Sequence, residues 1–76
     1  MNNQRRKLLE GIRVKLEYIS SDIEIYRDEE QEYIDNMPES LQGGEKATNA
    51  ENVVSNLDDA INSLSEACNS MDEAIV

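Results

Sequence analysis

Met37-Pro38-Glu39-Ser40-Leu41-Gln42-Gly43-Gly44-Glu45-Lys46 interrupts two long apolar stripes at helical spacing, and how it is read decides the fold. Proline at position 38 disfavours helical geometry at Met37, and two adjacent glycines permit a left-handed turn. On the N-terminal side the stripe runs Leu9, Ile12, Leu16, Ile19, Ile23, Tyr26, Tyr33 and Met37. On the C-terminal side it runs Ala50, Val53/Val54, Leu57, Ala60/Ile61, Leu64, Ala67/Cys68, Met71 and Ala74/Ile75. Steps of three and four place each set on one helix face. The spacing predicts an all-α protein, a single antiparallel helical hairpin with helices over about residues 3–36 and 48–75 and a loop over 37–47.

Local signals refine these bounds. Asn2 and Asn3 can cap the first helix, and Thr48 lies three residues before Glu51, the reciprocal capping arrangement that predicts a second start at Thr48. Pro38–Leu41 has the composition of a single turn, with Leu41 expected to tuck over the end of the hairpin. Gly11 weakens the first helix by about 1 kcal/mol relative to alanine. On the second helix the small row Ala60, Ala67, Ala74 predicts the closest helix approach. Glu30 falls where the first stripe calls for an apolar side chain and reads as an edge position, because an unpaired buried carboxylate is costly.

The core is thin. The chain has no Phe and no Trp, and five of its apolar residues are alanines. Ordering 76 residues costs on the order of 100 kcal/mol of conformational entropy, and one hairpin shields only one stripe per helix. Self-association into a four-helix bundle or higher oligomer is the expected remedy. A second line on the first helix, Val14, Tyr18 and Ile25, offers an apolar patch for another copy or another protein.

Charge is segregated along the chain. Residues 1–16 carry Arg5, Arg6, Lys7, Arg13 and Lys15 against Glu10, a net +4, whereas residues 17–76 carry two cations against sixteen acids, a net −14. In an antiparallel hairpin Arg5, Arg6, Lys7 and Arg13 should lie near Glu66, Asp72 and Glu73, so the two ends pair. A net charge of −10 argues against binding nucleic acid or an anionic membrane directly. Cys68 is the only cysteine and lies on the stripe, as expected of a buried thiol in a reducing compartment. The start has charges but no apolar leader run, and no segment reaches the length of a membrane span, so a cytoplasmic protein is expected.

The residue inventory argues against an enzyme and against any cofactor or bound metal. There is no histidine, hence neither the commonest general base nor the usual zinc ligand, and Gly43-Gly44 lacks the context of a phosphate loop. The acidic residues suit recognition better. Asp28, Glu29, Glu32, Asp35, Asp58, Asp59, Glu66 and Asp72 can form a carboxylate surface that imitates a phosphate backbone towards a basic protein, with Val14, Tyr18 and Ile25 as apolar anchor. The alternative is an anion site of Arg5, Arg6, Lys7, Arg13 and Lys15, in which an oligomer sequesters a small anionic nucleotide signal. A purely structural or assembly role is the third reading.

The stretch from Ile25 to Lys46, IYRDEEQEYIDNMPESLQGGEK, with Asn56-Leu57-Asp58-Asp59-Ala60-Ile61 downstream, resembles a motif of small acidic helical proteins of unknown function. These are encoded by bacteriophages and by prophages of Gram-positive bacteria. Their DEEQExxDNMPESLQGSE-like core joins a Lys/Glu-rich helix to a second helix with NLDxAI repeats, and Gly44 stands here where serine is frequent. The resemblance implies a phage accessory factor acting in the host cytoplasm, such as an inhibitor of a defence or nucleic-acid-handling protein. It carries over no catalytic or binding residue.

Overall fold

The computed structural model describes residues 1–76 as two long helices, α1 (Asn3–Asp35) and α2 (Glu45–Ile75), with one 3-10 turn at Glu39–Leu41 between them. The two pack along their length into a rod of 60 × 15 × 12 Å. The fold is therefore the expected all-α hairpin. α1 begins as its sequence dictates, since the Asn2 side chain accepts a hydrogen bond from the Arg5 backbone N–H at 2.7 Å.

The connection differs from expectation in three ways. α2 starts three residues before Thr48, capped by Gly44, whose carbonyl accepts from the Thr48 N–H at 3.0 Å. The extra turn buries Ala47, which a start at Thr48 would leave outside the helix, and puts Glu45 in the first turn where the helix dipole favours an acid. Neither loop glycine takes a positive φ. Gly44 instead eases a close approach, because a Cβ there would sit 3.3 Å from the Leu41 carbonyl oxygen, which would have to shift by a few tenths of an ångström. Leu41 is half-exposed rather than folded over the end, and the carbonyl of Met37 is satisfied by the side-chain amide of Gln42 at 3.1 Å.

The seam between the helices follows a stricter period than the stripes suggested. The inward positions of α1 are Arg6, Leu9, Arg13, Leu16, Ser20, Ile23, Arg27, Glu30, Ile34 and Met37, and those of α2 are Ala47, Ala50, Val54, Leu57, Ile61, Leu64, Cys68, Met71 and Ile75. Each series alternates steps of three and four without a break, the heptad rule of a coiled coil. Lettered a to g, with Arg6 and Ala47 both at a, every one of these residues falls at a or d.

Four residues of the expected first stripe are therefore misplaced. Ile12, Ile19, Tyr26 and Tyr33 all occupy g, beside the seam, and are 46%, 48%, 64% and 49% exposed. Their place inside is taken by the a row Arg6, Arg13, Ser20, Arg27 and Ile34. Arginine suits such a position when its aliphatic stem lies along the seam and its head reaches solvent. Glu30 is likewise no edge residue: it sits half-buried at d. The most fully buried cluster, Ile34, Ala50 and Val54, lies near the turn, whereas in the small row Ala74 is exposed and Ala60 and Ala67 are half-buried.

Candidate functional site

The heptad phase gives the rod two unlike flanks. In an antiparallel pair the e rows of both helices share one side of the seam and the g rows share the other. Side-chain positions agree: Glu17 and Ser65, both at e, line one shallow groove beside Arg13, and Glu24 and Asp58, both at e, line a second beside Arg27.

The e flank is acidic and is held by arginine. Left to themselves, Glu10 would face Asp72 and Glu24 would face Asp58, like charge against like, whereas Glu17 lies opposite Ser65 and Glu51 opposite Gln31. Arg13 reaches from its a position to Asp72 through both Nε and Nη2, the latter at 3.0 Å, while its Nη1 binds Glu17 of its own helix. Arg27 repeats the arrangement with Asp58, donating from Nε at 2.9 Å, and its Nη1 lies 3.4 Å from Asp28. Hydrogen bonding to Asp72 and Glu17 raises the Arg13 pKa above its already high ordinary value, and bonding to Asp58 does the same for Arg27. Both guanidiniums stay charged wherever the fold exists.

The pairing of the two ends is partly as expected. Arg13 meets Asp72, and Arg6 donates from Nε to the Ile75 carbonyl at 3.1 Å, close to the negative end of the α2 dipole. Arg5, Lys7, Glu66 and Glu73 form no ion pair, and the Arg27–Asp58 bridge was not foreseen. Two arginines of the candidate anion site are thereby engaged by their own chain. The remaining three, Arg5, Lys7 and Lys15, are exposed at g, b and c, on different faces of α1.

The acidic residues proposed for partner binding divide into three groups. Asp58 and Asp72 are held by arginine on the e flank, and Asp59 and Glu66 lie in the f row of α2, fully on the outside. Asp28, Glu29, Glu32 and Asp35 are exposed on the turn-proximal third of α1, where Gln31 also bonds Asp35 at 3.0 Å. All seven acids of α2, from Glu45 to Glu73, occupy e or f, so its g, c and b rows carry no carboxylate. That segregation escaped the sequence reading, although the heptad phase alone reveals it. Val14, Tyr18 and Ile25 are exposed, at b and f, away from the seam.

Cys68 is buried at a and unpaired, and no three acidic or cysteine side chains converge on a point suited to a metal ion. No helix is long and apolar enough to cross a membrane. Compared with protein families, with curated proteins and with solved structures, the chain matches none.

Proposed function

We propose that this protein is a non-enzymatic binding rod that blocks a basic protein through its carboxylate-bearing side. In the setting implied by the sequence resemblance, that makes it a phage-type accessory factor in the cytoplasm of a bacterial host, directed at a defence or nucleic-acid-handling protein. It works as a homo-oligomer, a four-helix bundle of two hairpins whose acidic flanks face outwards. The observation that supports this reading is the confinement of every acid of α2 to its e and f rows. A stiff rod 60 Å long whose second helix bears all its carboxylates on one side presents to the basic groove of a nucleic-acid-binding protein the kind of charge array that a phosphate backbone does.

Competition against duplex DNA tests the reading. Purified basic DNA-binding proteins are saturated with fluorescent duplex, and the anisotropy is followed as this protein is added. Displacement that weakens at least tenfold between about 50 and about 300 mM salt is expected of a phosphate mimic. Replacing Asp59, Glu66 and Glu73 together by their amides should abolish it. Failure to displace DNA from any basic protein at low salt overturns the proposal.

A further inference from the structure

The g flank is the side of the rod that the acidic reading does not use. Between a cation at each end, Arg5 of α1 and Lys46 of α2, it is apolar: Ile12, Ile19, Tyr26 and Tyr33 on α1 run beside Val53, Ala60, Ala67 and Ala74 on α2. One row is large and exposed, the other small apart from the exposed Val53 near the turn. The α2 positions bordering the flank on its outer side are the uncharged Asn49, Asn56, Ser63 and Ser70, whereas the α1 border is mixed, with Lys15, Asp22 and Glu29.

We infer that this flank is the seat of a second copy of the same chain, in a parallel pairing of hairpins with both turns at one end. The inference rests on the homo-oligomer reading above and specifies its interface. The occupant follows from shape. A two-fold axis along the rod sets α1 of one copy against α2 of the other, so each large g residue meets the small row at its own height. Tyr26 faces the partner's Ala60, and Ile19 faces the partner's Ala67. The other two-fold arrangement, with the turns at opposite ends, sets large row on large row and leaves the alanines over a gap.

Area points the same way. The chain exposes 5703 Å², about 1000 Å² more than a compact protein of 8.6 kDa should expose. A stable interface removes about 800 Å² from each partner. Charge permits it as well, since the e and f acids of α2 stay on the outside of such a bundle, and the charged α1 border, Lys15, Asp22 and Glu29, meets the uncharged Asn and Ser row of the partner's α2.

Light scattering on the full chain and two variants tests this, with helicity followed by circular dichroism. At about 100 µM, where weak self-association registers, the wild type should have twice the mass of one 8.6 kDa chain. Joint replacement Ile19→Glu and Tyr26→Glu should halve that mass with the helices retained, because both side chains are exposed in the single hairpin. Joint replacement Val14→Glu, Tyr18→Glu and Ile25→Glu should leave it unchanged. A wild type of single-chain mass overturns the inference together with the oligomer reading. A dimer that survives Ile19→Glu/Tyr26→Glu, or is broken by the second variant, overturns the interface alone.

The pairing direction has its own readout. A spin label on Ser40→Cys in a Cys68→Ala background reports the distance between the two turns. Interaxial spacings of 8–10 Å place the labels about 15–30 Å apart in the parallel pairing. A distance approaching the 60 Å length of the rod contradicts it.

Discussion

Arg13 holds Asp72 across the seam through two nitrogens, and the same relation recurs between Arg27 and Asp58, fourteen residues further along α1 and fourteen earlier on α2. Equal offsets on antiparallel helices mean one register for the whole hairpin, repeated after two heptads. Each arginine also relieves repulsion between facing e-row acids, so specificity of register and tolerance of charge come from the same two residues. Packing alone, with Ala50, Leu57, Leu64 and Met71 at seven-residue intervals along α2, distinguishes one-heptad slips far less sharply.

The register claim has a direct mutational test. Arg13→Asp and Asp72→Arg should each lower the thermal midpoint, and the double swap should recover most of the loss at low salt. Raising ionic strength to about 1 M, where the screening length falls to about 3 Å, should shrink the coupling. Independent, additive losses would show that the two residues do not interact in solution.

Core truncation near the turn should be the most damaging. Ile34 is buried against Ala50 and Val54, and Ile34→Ala should cost about 2–4 kcal/mol in urea unfolding. Tyr18→Ala, on the far face, should change stability by less than about 0.5 kcal/mol. Equal effects would contradict the assigned seam.

Two substitutions should stabilise. Gly11 has open space where an alanine methyl would stand and no unusual backbone, so Gly11→Ala should add about 1 kcal/mol through helix propensity alone. Glu30 sits half-buried at d and forms no ion pair or hydrogen bond, so Glu30→Leu should add about 1–2 kcal/mol by completing the row between Ile23 and Met37. Chemical denaturation measures both, and a loss of stability in either variant would contradict the placement of that residue.

The hairpin itself was legible because Pro38 and Gly43-Gly44 separate two helix-period stretches and nothing else in the chain competes as a turn. The facing side of α1 was not. Two apolar rows lie side by side on that helix, Leu9/Leu16/Ile23 and Ile12/Ile19/Tyr26/Tyr33, and a reading that follows apolar residues alone takes both as the inner face. The missing signal was the seven-residue recurrence of Arg6, Arg13, Ser20, Arg27 and Ile34, a row passed over because arginine counts as polar even where its stem packs. The start of α2 was missed for a related reason. Thr48 and Glu51 form a sound capping pattern, but burial of Ala47 beside Ala50 extends the helix past it. The acidic residues could be named from sequence, whereas the confinement of those on α2 to two adjacent rows needed the heptad phase.

The most direct test of the account is the distance between spin labels at Glu10→Cys and Glu73→Cys, in a Cys68→Ala chain diluted with unlabelled protein so that only labels on one chain are read. Two helices packed at 8–10 Å should hold these labels about 10–25 Å apart. A separation beyond about 60 Å, as expected of a chain continued as one rod at 1.5 Å per residue, would contradict the hairpin and every surface assigned to it.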